Sequence, residues 1–171
     1  MLRLAPITML ALAACAAPEP KEPPLEGLVS ISSSPCLGLC PVFTMQVTPD
    51  DRYRLNSGAN TINPGRSSGG LPVGSFRRAL DLMGRYEFES LQRSYTADVK
   101  ETCPERVTGT PILTLLRKTD ARQKVVDYDV GCLKFAEKDR FDQLVAGLYR
   151  TFRISDLVAV GEPPKADDAK K

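Results

Sequence analysis

Five cysteines and no histidine bound the chemistry open to this chain. Cys36 and Cys40 are separated by Leu37-Gly38-Leu39. In an extended strand their Cα atoms would lie about 13 Å apart, whereas a disulfide needs roughly 4.4–6.8 Å. If the two are bonded, the segment is a tight turn, and Gly38 permits the backbone angles it needs. Pro41 then leads into a strand, where a missing N–H is tolerated at the first position. Reduced, the same pair could exchange disulfides or handle peroxide, provided that one thiol is exposed and acidified. The stretch from Ser30 to Asp51 holds no lysine, arginine or histidine. An uncharged, apolar setting raises a thiol pKa rather than lowering it.

Cys103 and Cys132 complete a set of four, for which three connectivities exist. Pairing Cys36 with Cys40 and Cys103 with Cys132 is the expected scheme. A four-cysteine zinc site is the alternative, and it is disfavoured outside the cytoplasm, where thiolates oxidise first. Asp127 and Asp129 alternate with Val126, Tyr128 and Val130, so they share a strand face and could pair for acid–base work. A solvated sheet face is the plainer reading. Arg52 and Arg54 likewise share a face and could dock an anion, although solvated edge charges look the same in sequence. Gly65–Gly70, GRSSGG, lacks the lysine-serine ending of a phosphate-binding loop and reads as a flexible loop. Tyr53, Tyr86 and Tyr95 fit the core or its rim. No catalytic residue, cofactor or metal ligand is assigned, and an enzymatic role is not expected.

The missing histidine removes His-based triads, His general bases and every zinc site with a His ligand. A net charge of +2 is too balanced to point to nucleic acid. With 171 residues, 42% of them hydrophobic, the chain suits one domain with a core.

Met1–Ala14 carries Arg3 and then an apolar run ending in small residues, a secretory signal pattern too short to span a bilayer. Its end, Leu12-Ala13-Ala14-Cys15, resembles a bacterial lipobox. That resemblance implies cleavage before Cys15 and acylation of Cys15, leaving the protein anchored in a membrane by lipid. In such lipoproteins an aspartate after the cysteine signals inner-membrane retention. Ala16 stands there, so the outer membrane, facing the periplasm, is favoured. Residues 15–27 then form the acylated cysteine and a proline-rich tether, which at ~3.1 Å per residue reaches some 30–40 Å.

The elements that must position the cysteines and acids follow in order. Leu28–Ser34 reads as a strand. Phe43, Met45 and Val47 alternate with Thr44 and Gln46 in a second strand over 41–48, and Pro49-Asp50-Asp51 turns into a third through Tyr53 and Leu55. Residues 56–70 hold four glycines, three asparagines and a proline, and predict a loop, with at most a short strand near Ile62. Phe76, Leu80 and Met83 predict a helix over 74–86. Phe88, Leu91 and Tyr95 are expected to cover the sheet edge. Thr110–Leu116 and Lys124–Val130 read as a hairpin. Phe141, Leu144, Val145, Leu148 and Phe152 predict a helix over 138–153. Residues 156–171 are expected to form a disordered tail.

Cys36-Leu37-Gly38-Leu39-Cys40-Pro41-Val42-Phe43, followed by Arg52-Tyr53, resembles the opening of a bacterial exported domain family of unknown function. Its members carry C-[FL]-G-x-C-P-x-[YF] before an alternating strand. Tyr86-Glu87-Phe88-Glu89-Ser90-Leu91, Thr110-Pro111 and Gly131-Cys132 extend the resemblance over about residues 28–155. Asp51 stands where a turn glycine is common in that family, and Gly109 where an aspartate often precedes the Thr-Pro strand. The resemblance implies fold and address, and no activity.

The sequence therefore predicts one α+β domain over 28–155. Its sheet is expected to be antiparallel, of four to five strands, with two helices packed on one face. The expected role is that of an envelope lipoprotein whose domain binds a protein or envelope component, without nucleic acid or metal. The alternative is a cysteine-based thiol–disulfide or peroxide-handling protein using Cys36 and Cys40. An Asp127/Asp129 hydrolase ranks last.

Overall fold

A computed structural model of the chain describes residues 26–159. The signal segment, Cys15, most of the tether and residues 160–171 lie outside the described residues. Seven strands form one sheet: β1 Leu28–Ser33, β2 Phe43–Val47, β3 Arg52–Ser57, β4 Gly65–Gly70, β5 Ser94–Tyr95, β6 Ile112–Lys118 and β7 Gln123–Asp129. Their spatial order is β4-β3-β2-β1-β6-β7-β5. All neighbours are antiparallel except β5 and β7, which run parallel. Three helices complete the fold: α1 Ser75–Arg85, α2 Lys138–Thr151 and the short α3 Ile154–Leu157.

This corrects the expected sheet of four to five antiparallel strands with two helices: the sheet is larger and mixed, and there is a third helix. The two added strands have different physical origins. β4 is the GRSSGG segment, read from sequence as a loop. It has no apolar side chain to alternate, but it pairs with β3 over its whole length, from Gly70 opposite Arg52 to Gly65 opposite Ser57. Glycine suits this position because Tyr53 lies across the strand. A Cβ on Gly69 would sit 2.9 Å from the Tyr53 ring. β5 is two residues long and exists only where tertiary contact lays Ser94-Tyr95 beside Asp127-Tyr128.

The core lies between one sheet face and the helices. Val29, Ile31, Phe43, Met45, Val47, Leu55, Leu115, Val126 and Tyr128 point to it from alternate strand positions and are buried. They belong to one cluster with Phe76, Ala79 and Met83 of α1 and Phe141, Leu144 and Leu148 of α2. The Tyr128 ring meets Phe141 at 4.7 Å and the Phe43 ring meets Tyr149 at 6.3 Å, so α2 crosses the middle of the sheet. The helices approach closely where Gly147 faces Leu82, at 3.0 Å from the position of a Cβ. Packing continues past residue 155 through α3 to Val158, which is 3% exposed.

Asp51 shows how a local departure is used. Its φ is +57°, the left-handed conformation that a turn glycine would adopt without strain. Aspartate tolerates it, and its carboxylate accepts hydrogen bonds from the Gly74 N–H at 2.7 Å and the Phe76 N–H at 2.8 Å, the first turn of α1. The β2–β3 turn thus caps a helix more than twenty residues on. Asp51→Ala is expected to cost about 1–2 kcal/mol, through loss of the cap together with the strained φ. Asp51→Gly relieves the strain while losing the same cap, so it should cost less. Chemical denaturation of both variants checks the order, and an equal loss would assign the whole effect to the cap.

Three phenols are held protonated by the core. Burial pushes the pKa of Tyr95, of Tyr128 and of Tyr149 above the usual tyrosine range. The Lys138 ammonium donates to Tyr128 Oη at 2.9 Å and to Asp142 Oδ2 at 2.7 Å. Burial opposes its charge, but these Asp142 and Tyr128 contacts hold its pKa above the usual value for lysine. All four groups have folded pKa values above their unfolded ones. Their contribution is therefore complete below about pH 10 and is lost as pH rises through the folded values. Phenolate absorbance from these tyrosines should appear only together with alkaline unfolding; ionisation well before loss of circular dichroism would contradict the burial argument.

Candidate functional site

The helices cover one face of the sheet and leave the other uncovered. Strand register fixes what that face presents. Arg66 of β4 stands opposite Asn56, Asn56 opposite Thr44, Thr44 opposite Ser32, Ser32 opposite Thr114, Thr114 opposite Asp127, and Asp127 opposite Ser94. One rank of polar side chains therefore crosses the whole sheet. The next rank runs Ser68, Arg54, Gln46, Ser30, Leu116 and Val125, polar on the β4 side and apolar on the β7 side.

Two of the clefts on this face are large. One, of about 580 Å³, lies over β2, β3 and β4 and is lined by Thr44, Gln46, Arg54, Asn56, Arg66 and Ser68 among others. A second, of about 550 Å³, lies over β1, β6 and the segment after β5, with Ser32, Ser34, Thr96, Asp98, Thr114 and Asp127 in its lining. Within it the Thr114 hydroxyl donates to Asp127 Oδ1 at 2.6 Å, and the Ser94 and Thr96 hydroxyls meet at 2.8 Å. The face thus runs from basic at its β3–β4 side to acidic and hydroxyl-rich at its β5–β7 side.

Asp127 and Asp129 fall on the same strand face but into different surroundings. Asp127 is half-buried and looks into the second cleft. Asp129 is 2% exposed and its bonds are already made. Arg106 Nε lies 2.8 Å from Oδ2, while the Thr110 hydroxyl and the Gly131 N–H donate to Oδ1 at 2.7 and 2.9 Å. It ties the 106–110 segment to the end of β7 and offers no free carboxylate for a paired acid–base site.

The sulfur atoms of Cys36 and Cys40 are 2.00 Å apart, and those of Cys103 and Cys132 are 1.96 Å apart, both at disulfide distance. The first pair closes a turn at the end of β1, with Gly38 N–H donating to Cys36 Sγ at 3.1 Å. The second pair is buried and pins the 96–103 segment beside β7. The Tyr95 carbonyl oxygen lies 3.0 Å from Cys132 Sγ.

An apolar rim borders the polar face at the Cys36–Cys40 end. Leu37 is 89% exposed, Leu39 59% and Val107 50%. Backbone bonds hold these loops together: Leu37 N–H to the Gly109 carbonyl at 3.0 Å, and Val107 N–H to the Gly131 carbonyl at 2.9 Å. Gly109 accounts for its departure from the resembled pattern. Its φ is +84°, and a Cβ there would lie 2.8 Å from Leu37 Cδ1.

Sequence reading named Arg54 and Asp127 on this face, but not Ser32, Thr44, Thr114, Ser94 or Arg66 as its partners. Alternation marked each polar position within its own strand. What it lacked was the order of the strands, which brings those positions into one rank.

Fold and surface together define a small α+β domain clasped by two cysteine pairs, with a broad sheet face that the helices leave uncovered. The chain belongs to the family described as domain of unknown function DUF6438, whose model matches residues 27–146, from the start of β1 into α2. No curated protein matches the chain. Among the described residues, no helix is long and apolar enough to cross a membrane.

Proposed function

We propose that this protein is a cell-envelope lipoprotein, anchored through acylated Cys15 in a membrane that is most readily the outer one. Its domain faces the periplasm and binds a protein or another envelope component without catalysing a reaction. The observation that carries the binding reading is the polar rank from Arg66 to Ser94. A sheet face this wide is normally covered by helices or a second sheet, or is solvated and convex. Here it is creased by two clefts and bordered by exposed leucines, which is how a recognition surface differs from plain solvated surface. The anchor rests on the lipobox residues, and the tether gives the domain the reach to meet a partner away from the lipid.

The test is photo-crosslinking in the cell from single positions. Crosslinkers at Ser32 and Thr44 on the uncovered face should capture a discrete partner, and one at exposed Asp139 on α2 should not. Capture from Asp139 alone, or from none of the three, would overturn the reading.

A second reading has one observation in its favour. The Gly38 N–H aimed at Cys36 Sγ is a contact that stabilises a thiolate, as thiol–disulfide and peroxide-handling proteins require. The absence of any basic side chain from Ser30 to Asp51 weighs against it. The Cys36–Cys40 pair is expected to have a reduction potential below about −300 mV and to resist the glutathione pool. A potential in the range of the oxidoreductases, with rapid thiol alkylation at neutral pH after reduction, would make the redox reading the better one.

A further inference from the structure

We infer that β4 is a docking edge for an extended acidic peptide segment, which joins the sheet as an eighth strand. This rests on the domain being a binding module and names where and what it binds. β4 is the terminal strand of the sheet. Its six residues are fully paired with β3 on one side, and among the described residues no strand pairs with the other. Such an edge offers a row of unsatisfied N–H and C=O groups. Proteins that need to silence an edge place a proline, a bulge, charged side chains or an inward-pointing charge on it. Gly65–Gly70 has no proline, no bulge and no inward-pointing charge: the register with β3 is unbroken, and the positions facing the helix side are Gly65, Ser67 and Gly69. Its one charge, Arg66, repels a basic strand and attracts an acidic one. Access is open as well. Five of its six residues are exposed, and a Cβ on Gly65 or Gly70 would meet nothing within 4 Å.

Charge selects the partner. Arg52, Arg54 and Arg66 all lie on the uncovered face of the two outermost strands and are all exposed. Arg54 and Arg66 also line the adjoining cleft. The acidic group beside them is Asp50, whose carboxylate accepts a hydrogen bond from the Thr48 hydroxyl at 2.6 Å. Three arginines against one aspartate leave this side basic. A strand added to β4 would set every second side chain on that face, next to Arg66 and within reach of Arg54. Main-chain pairing supplies affinity in this mode, and alternate side chains supply specificity. Acidic residues at alternate positions meet the arginines, while the intervening residues face only serine and glycine. A second copy of the chain fits less well, because β4–β4 pairing brings two such basic faces side by side.

The probe is a synthetic alternating heptapeptide, (Glu-Val)3-Glu, titrated into the full chain. Its lysine counterpart and a form N-methylated at alternate residues are the controls. The acidic peptide should bind and slow amide exchange in residues 65–70, whereas the lysine and N-methylated forms should not. Arg54→Ala and Arg66→Ala should each weaken binding by about fivefold, the size of an exposed charge contact, and added salt should do the same. No binding, binding indifferent to N-methylation, or β4 amides already protected in the free chain by its own segments or by a dimer would each overturn the inference. Crosslinks from Ser32 and Thr44 in the cell without peptide binding at β4 would remove the edge and leave the binding-module reading standing. Peptide binding at β4 without those crosslinks would keep the edge and remove the uncovered face around Ser32 and Thr44 as the recognition surface.

Discussion

Replacing Cys103 and Cys132 together by alanine is expected to lower the unfolding free energy by about 3–4 kcal/mol, against about 2 kcal/mol for the Cys36/Cys40 double replacement. The difference follows first from loop length. The buried pair spans 29 residues and the other only 4. Closing the longer loop removes more freedom from the unfolded chain. It follows also from place. Cys103 and Cys132 are 6% and 0% exposed, and their link holds the segment after β5 against the last strand before α2. That strand contact, Ser94-Tyr95 on Asp127-Tyr128, is only two residues long and cannot hold the segment alone. Cys36 and Cys40 close an exposed turn whose stiffness is already set in part by Pro35 and Pro41. Denaturant titration of the two double variants reads the ranking directly. Equal losses, or a larger loss at Cys36/Cys40, would show that the buried pair clasps a segment already fixed by its other contacts.

Much of this frame was legible beforehand, and the reasons differ by element. The stripe of Phe141, Leu144, Leu148 and Phe152 announced α2 because a helix on a core repeats its apolar contacts every three to four residues. Phe43, Met45 and Val47 announced β2 by the same logic at a period of two. β4 was illegible, since glycine and serine carry no hydrophobic period. What makes it a strand is the β3 backbone beside it and the Tyr53 ring lying over Gly69. Asp51 as a helix cap was illegible for another reason: the turn signal was read correctly as local, but the helix it caps begins more than twenty residues later. On the candidate face, Asp127 and Asp129 were rightly set on one strand face, yet the sequence could not tell that the 106–110 segment folds over only the second of them. Arg106, Thr110 and Gly131 supply its partners from positions whose approach depends on the tertiary fold.

Gly131→Ala should be among the most damaging small substitutions in the domain, at about 2–5 kcal/mol. A Cβ there would lie 2.1 Å from the Val107 carbonyl oxygen and 2.4 Å from Thr110 Oγ1. Neither atom belongs to the free end of a long side chain, so the 106–110 segment itself must move. Overpacking alone costs roughly 1–3 kcal/mol. Moving the segment also breaks the Val107 N–H bond to the Gly131 carbonyl at 2.9 Å and strips donors from buried Asp129. Each buried polar group left unpaired adds about 1–3 kcal/mol, and relaxation of the loop recovers part of the sum. Gly84→Ala provides the contrast within the same fold. It lies inside α1, and a Cβ there meets nothing within 4 Å. That change should stabilise the protein by about 0.5–1 kcal/mol, because alanine loses less freedom than glycine on entering a helix. The pair distinguishes close approach from glycine's general flexibility. If Gly131→Ala were as well tolerated as Gly84→Ala in thermal and denaturant unfolding, the Asp129 cluster would not be the fixed point that shapes the rim around Val107 and Leu37.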